Sequence, residues 1–325
     1  MRRHTPALRY TAAIAPMIWG TTYIATTEWL PPDRPLFAAL ARALPTGILL
    51  LWRGTLPRGN WIWRALVLGV LNIAAFFAFA FVGAYRLPGG VAAVAGSLQP
   101  IIVILLVAPV LGSRIRALQL GAAVLGTAGM VLLVAGSATH LDALGVAAAV
   151  AGAVSMASGT VLTKKWGRPE GVPLRVFIGW QLLAGGLLLL PPTVLFEGLP
   201  THLSPVNLFG YGYLALVSSA FAYQFWFRGI EQFTPSAVTF LALLSPVVAA
   251  LVGYLVLDQS FTVWQLTGIA LILLAVAGGQ RSPAPRPASE PAPKPAPKPA
   301  SESAPESAPM TTVPRAEPAR VGSDV

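Results

Sequence analysis

The sequence predicts an all-α polytopic membrane protein: ten transmembrane helices arranged as two inverted five-helix repeats. Three observations carry this expectation. Of the 325 residues, 55% are hydrophobic and only 10% are charged, whereas soluble domains carry about 25% charged residues. The apolar residues fall in runs of about 20, the length that crosses a hydrocarbon layer as a helix. The third observation is internal repetition. Pro88-Gly89-Gly90-Val91-Ala92-Ala93 leads through Gln99-Pro100 to Gln119, and Thr234-Pro235-Ser236-Ala237-Val238-Thr239 leads through Ser245-Pro246 to Gln265. Pro100 and Pro246, like Gln119 and Gln265, stand 146 residues apart.

In chain order the predicted spans are 10–28, 36–52, 62–84, 89–111, 117–136, 143–163, 176–196, 208–229, 235–257 and 262–279. Helices are the expected element because lipid leaves no backbone group unpaired and no period-two strand pattern is present. Residues 1–28 begin with Arg2, Arg3 and Arg9. They carry Trp19, Thr21, Thr22, Tyr23, Thr26 and Thr27, too polar for a cleaved signal peptide, so they read as the first span. Close spacing of the third and fourth spans, and of the eighth and ninth, requires tight hairpins. Residues 282–325, rich in Pro, Ala, Ser, Lys and Glu, read as a disordered cytoplasmic tail. The domains are therefore 1–138, 139–281 and 282–325.

Orientation follows from Lys and Arg. With the N-terminus inside, the cytoplasmic side receives Arg2, Arg3, Arg9, Arg53, Arg58, Arg64, Arg114, Arg116, Lys164, Lys165, Arg168, Arg175 and Arg228. The outer side receives Arg34 and Arg86. An even number of spans returns the C-terminus to the cytoplasm. Five spans per copy invert the second copy, which is the geometry of alternating-access carriers. This predicts a multi-pass protein of the plasma (inner) membrane.

The net charge of +10 comes from short clusters between apolar runs, with no basic face, so a nucleic-acid partner is not expected. The absence of cysteine excludes disulfides and thiol chemistry. His4, His140 and His202 fall near span ends or loops. No catalytic residue, metal site or cofactor is expected.

The ordered motifs resemble the EamA-type ten-helix members of the drug/metabolite transporter superfamily. The resemblance covers about residues 10–280. It rests on Trp19-Gly20-Thr21-Thr22, Ala41-Arg42, the Pro88–Pro100 run with Gly112, Gly159-Thr160, the Pro235–Pro246 run and Gln265-Leu266-Thr267-Gly268-Ile269-Ala270. It implies a ten-helix carrier of small solutes. Two features depart from the pattern. Gly112-Ser113 and Asp258-Gln259 stand where relatives often carry Gly-Glu, and the first span lacks the mid-depth glutamate of the smaller four-helix exporters; Glu28 lies at its outer end.

Polar groups at mid-membrane are costly, so they are the candidate substrate contacts. Trp19, Thr22, Tyr23 and Thr26 share one helix face. Asn72 lies near the centre of the third span, and its amide needs a partner from another helix, water or cargo. Gln99-Pro100 and Ser245-Pro246 are expected to kink the fourth and ninth spans and free backbone carbonyls. Tyr223 and Gln224 lie toward the inner half of the eighth span. Gln181 is a weaker candidate on the seventh. The predicted substrate-binding set is thus Trp19, Thr22, Tyr23, Asn72, Gln99, Tyr223, Gln224 and Ser245, with Arg42, Pro100 and Pro246 as gating or structural residues. Arg42, the clearly intramembrane charge, could snorkel outward or face a water-filled cavity and attract a carboxylate.

The predicted function is a secondary transporter exporting small metabolites or amino-acid-like solutes, with a small-molecule substrate and the lipid bilayer as its partners. A membrane-embedded lipid-modifying enzyme, a multidrug efflux carrier and a non-transporting receptor that docks through the tail are the competing readings.

Overall fold

A computed structural model describes residues 6–87, 89–134, 142–256 and 260–280; the tail 282–325 and the Asp258-Gln259 pair lie outside the described residues. The described residues are helical with no strand. They form ten helical elements: α1 (Pro6–Trp29), α2 (Pro35–Leu50), α3 (60–86), α4 (89–111), α5 (Ala117–Leu133), α6 (Ala143–Trp166), α7 (Leu174–Glu197), α8 (205–232), α9 (Pro235–Val256) and α10 (Val263–Gly279). The expected spans are all present, with ends shifted by a few residues. Large side chains such as Phe196, Leu195, Val263 and Leu255 are more than 70% exposed. Outward-facing apolar surface on this scale requires lipid as the solvent.

Most departures from regular α geometry fall in matched places; the π-helical end of α7, Thr193–Glu197, has no counterpart in α2. In α3 the ladder slips into a π-helical stretch at Val70–Ala74, and in α8 it slips at Leu216–Phe221. These two stretches begin 146 residues apart. Elements α5 and α10 are also offset by 146 and are both 17 residues long. In α4 the ladder breaks at Leu98, where the Leu98 N–H donates to the Ala95 carbonyl (3.2 Å). The break in α9 falls at Leu243, whose N–H donates to the Phe240 carbonyl (3.2 Å). Pro100 and Pro246 cause both breaks. Each lacks an N–H and crowds the carbonyl four residues earlier, so the preceding turn tightens.

Packing repeats in the same way. The most extensive contacts join α5 with α10 and α2 with α7; α3 packs on α6 as α1 packs on α8, and α6 packs on α4 as α1 packs on α9. Exchanging the two halves maps this set of pairs onto itself. One apolar core joins α1, α2, α3, α6, α7 and α8, and a second joins α4, α5, α9 and α10. At the α5–α10 crossing a Cβ on Gly129 would lie 2.8 Å from the Gly268 carbonyl oxygen, so glycine sets how close these helices can come.

Helix ends in lipid still need partners for their last N–H and C=O groups. Leu36 and Phe37, at the start of α2, donate their N–H groups to Glu197 Oε1 and Oε2 (2.7 and 2.9 Å) at the end of α7. Arg34 Nη1 donates to the Glu197 and Gly198 carbonyls (3.2 and 3.1 Å). At the other end, Arg175 Nη1 donates to the Leu50 and Trp52 carbonyls (2.9 and 3.0 Å). Each helix thus caps the other's opposite end, and α2 and α7 run antiparallel. Replacing Glu197 with alanine removes both acceptors at the α2 N-terminus. The expected loss is roughly 1–2 kcal/mol, as for other helix caps, read as a lower unfolding midpoint in micelles, with Glu197→Gln losing less. An unchanged midpoint for Glu197→Ala would show that water replaces the cap.

Two surface ion pairs tie further ends together. Arg86, ending α3, pairs with Asp142 (3.0 Å) before α6. The Arg86 hydrogen bond, followed by the Leu144 N–H, holds the Asp142 carboxyl below its ordinary value. Arg168 pairs with Glu231 (2.6 Å), and Lys164 Nζ donates to the Ile230 and Glu231 carbonyls (2.9 and 2.8 Å). These contacts draw the ends of α6 and α8 together.

Candidate functional site

The π-helical stretches of α3 and α8 gather buried polar groups from neighbouring helices. A π turn widens the ladder and leaves carbonyls without their usual helical donor, so side chains of neighbouring helices must supply one. In α8 the Ser218 carbonyl accepts from Trp19 Nε1 (3.0 Å) on α1 and from Arg42 Nη2 (3.4 Å) on α2. The Ala215 carbonyl accepts from Thr46 Oγ1 (2.9 Å). In α3 the Leu71 carbonyl accepts from Ser155 Oγ (2.8 Å) on α6.

Around the α8 stretch the first polar cluster assembles. Arg42 is buried, and it points inward rather than snorkelling. Its Nε donates to Ser219 Oγ (3.1 Å) and its Nη2 to Ser218 Oγ (3.1 Å). The guanidinium lies 4.5 Å from the ring centroid of Phe77 on α3, a cation–π contact of the kind arginine favours. Thr22 Oγ1 is 3.4 Å from Ser218 Oγ. Trp19 sets its indole against Tyr223 (5.5 Å between centroids) and Trp226 (5.1 Å). On the same helix as Trp19, Thr21 hydrogen-bonds Tyr213 of α8.

The second cluster forms around the α3 stretch. Asn72 Nδ2 donates to Gln181 Oε1 (2.8 Å) on α7 and to Thr163 Oγ1 (3.3 Å) on α6. Gly159 leaves the room that Asn72 occupies: a Cβ there would collide with Asn72 Oδ1. The two clusters correspond. Ser218 and Asn72 are 146 residues apart, each in its π stretch, and Arg42 and Gln181 occupy the same register of α2 and α7, counted from the helix starts at Pro35 and Leu174. Each cluster therefore ties the second helix of one half to the π stretch of the other half. One uses a cation and the other a neutral amide.

The predicted residues divide accordingly. Trp19, Thr22, Arg42 and Tyr223 meet in the first cluster, and Asn72 anchors the second. The Tyr23 side chain lies outside the described residues. Gln99, nine-tenths buried at the α4 break, has an unpartnered Nε2; Pro100 beside it is buried too. Ser245 and Pro246 are half-buried at the α9 break. There the Ser245 carbonyl presses against Gly20, where an added Cβ would lie 2.6 Å away. Gln224 is half-buried. Beside the second cluster, between the C-terminal ends of α6 and α8 and the N-terminal end of α7, lies a cavity of about 240 Å³ lined by Thr163, Lys164, Arg168, Phe177, Phe227 and Glu231 among others. Sequence reasoning missed Ser218, Ser219, Thr46 and Thr163. A signal existed for the first of these: Ser218 stands at the repeat offset from Asn72.

A ten-helix membrane body whose two halves are cross-linked by buried polar groups at paired π-helical stretches has the build expected of a solute transporter. The chain belongs to the EamA-like transporter family, whose pattern matches residues 10–135 and again residues 143–278. It is 49% identical over 265 residues to protein PecM of Dickeya dadantii, covering 82% of this chain and 89% of that one. It is 31% identical over 287 residues to the chloroplastic WAT1-related protein At3g02690 of Arabidopsis thaliana, covering 83% and 68%. To the Escherichia coli protein named "Probable amino-acid metabolite efflux pump" the identity is 25% over 277 residues, covering 81% and 91%. A solved crystal structure superposes with a TM-score of 0.71 at 23% identity, covering 84% of this chain and 96% of that chain, which fixes the fold alone.

Proposed function

We propose that this transporter exports small metabolites, amino-acid-like solutes among them, by alternating access between two inverted repeats, residues 1–138 and 139–281. The observation that carries the reading is the matched pair of polar clusters at the π stretches of α3 and α8. The clusters join the halves by hydrogen bonds, and such bonds can exchange partners as the halves rock. The antiparallel course of α2 and α7, which occupy equivalent positions, supports the inverted arrangement. The name of the E. coli relative supports export of amino-acid-like solutes. On this reading Trp19, Thr22, Tyr23, Asn72, Gln99, Tyr223, Gln224 and Ser245 line the path, and Arg42, Pro100 and Pro246 hold and hinge it. Both termini face the cytoplasm of an inner-membrane protein. Catalysis and nucleic-acid binding have no part in it, and the tail is dispensable for flux.

Flux in proteoliposomes tests the activity: movement of at least one solute from a broad metabolite panel, retained after deletion of residues 282–325, is expected. A panel that yields no flux overturns the reading. Topology has its own test, simplified by the absence of native cysteine. An impermeant maleimide applied outside intact cells is expected to label His202→Cys and spare Glu170→Cys. Labelling of both from outside would remove the inverted arrangement.

A further inference from the structure

Resting on the transporter reading, we infer that Arg42 is the anion-recognition point of the solute path, and that the preferred solute is a monoanionic carboxylate with an aromatic or apolar body and no ammonium group. Four observations lead there. Arg42 is buried, with 8% of its surface exposed. It forms no ion pair: among the described residues the ion pairs are Arg86–Asp142 and Arg168–Glu231. A buried charge without a counter-charge is costly, and the costs rise in lipid. Second, the guanidinium is not fully used. Nε and Nη2 are taken by Ser218 and Ser219, whereas Nη1 makes no hydrogen bond and is not among the sealed, unpartnered atoms. A carboxylate oxygen can meet it in a charge-assisted hydrogen bond.

Third, the charge exceeds what the structural task needs. At the equivalent place, neutral Gln181 joins α7 to Asn72 with one 2.8 Å hydrogen bond. Tying α2 to the opposite π stretch would not by itself call for a cation. Fourth, the surroundings suit an apolar ring. Half-buried Trp19, whose indole N–H meets the Ser218 carbonyl, is backed by buried Tyr223 and Trp226 at 5.1–5.5 Å, and Thr22 adds a hydroxyl. Electrostatics then separates acids from zwitterions. A bound carboxylate neutralises Arg42, while an ammonium group on the same solute restores the uncompensated positive charge. The acids of the described residues, Glu28, Asp33, Asp142, Glu170, Glu197 and Glu231, stand at helix ends and in loops, so none faces the cluster to receive that ammonium.

The test uses the purified full chain and three probes of one skeleton: 3-phenylpropanoate, 3-phenylpropanamide and phenylalanine. Ligand-dependent thermal shifts give the half-saturating concentrations. Wild-type protein is expected to bind the acid at least tenfold more tightly than the amide, with phenylalanine weaker than the acid. Arg42→Gln is expected to fold and to bind acid and amide alike; Arg42→Lys keeps the preference for the acid. Equal binding of acid and amide by wild type, absence of binding by all three, or a preference that survives Arg42→Gln overturns the inference. Should Arg42→Gln fail to fold, the wild-type comparison and Arg42→Lys still decide. Metabolite flux in liposomes without any preference for acids sinks this inference and leaves the transporter reading standing; absence of all flux sinks the latter.

Discussion

Replacing Gly159 with alanine is expected to destabilise the protein by roughly 2–4 kcal/mol and to abolish transport. The added methyl group occupies the space of Asn72 Oδ1. Gly159 sits on α6 and Asn72 in the π stretch of α3, two elements pressed together along much of their length. Neither backbone can withdraw without opening that contact, so the amide must turn away. Turning breaks the hydrogen bonds to Gln181 and Thr163 and leaves buried polar atoms unpaired, at a cost of about 1–3 kcal/mol. Overpacking adds about 1–3 kcal/mol. The gain in helix propensity, about 1 kcal/mol for Gly→Ala, offsets part of this. A double-mutant cycle isolates the cause. In an Asn72→Ala background the collision partner is gone, and Gly159→Ala is then expected to be nearly neutral. Equal destabilisation in both backgrounds would mean that Gly159 matters for its backbone and not for the room it gives Asn72.

The second large effect is at Trp19. Alanine there removes a half-buried indole packed on Tyr223 and Trp226 and withdraws a donor from the Ser218 carbonyl. Large-to-small changes of this kind cost about 3–5 kcal/mol. Phenylalanine separates the two contributions. It keeps most of the ring packing and loses only the N–H, so about 1 kcal/mol is expected, with Arg42 Nη2 still serving the same carbonyl. Unfolding of purified protein measures both, and flux of the preferred solute reports the path. Trp19→Phe is expected to retain flux at a reduced rate, and Trp19→Ala to lose it. Flux that survives Trp19→Ala in folded protein would remove Trp19 from the path and leave it a packing residue.

Much of the fold was legible in the chain because lipid imposes a simple rule. A membrane helix must be apolar over a fixed length, and all ten expected spans are helical in the structure. The 146-residue offset was legible in prolines and glutamines, and it recurs in the starts of the π stretches of α3 and α8 and in the α5–α10 pair. The site was legible in part. Trp19, Arg42 and Asn72 stood out as polar side chains at a depth where such groups need partners. Tyr223 and, more weakly, Gln181 stood out too; the serine and threonine partners did not. Ser218 and Ser219 are small and common, and nothing in a hydropathy profile marks a π turn. Glu197 stands one residue past the predicted seventh span, with nothing in the sequence to mark a role, yet it caps a helix about 160 residues earlier in the chain. The expected kinks at Pro100 and Pro246 are real, but each opens two or three residues ahead of its proline, since the ring strains the turn before it.

By itself the sequence determined the number of helices, their apolar faces and the duplication, because burial in hydrocarbon is paid residue by residue along the chain. Tertiary structure alone decided which carbonyls the π turns release, that Arg42 turns inward to the serines of the opposite half, and that a neutral amide fills the corresponding place. Those outcomes depend on hydrogen bonds between groups about 100 to 200 residues apart, and a donor's partner is fixed only once the helices have packed.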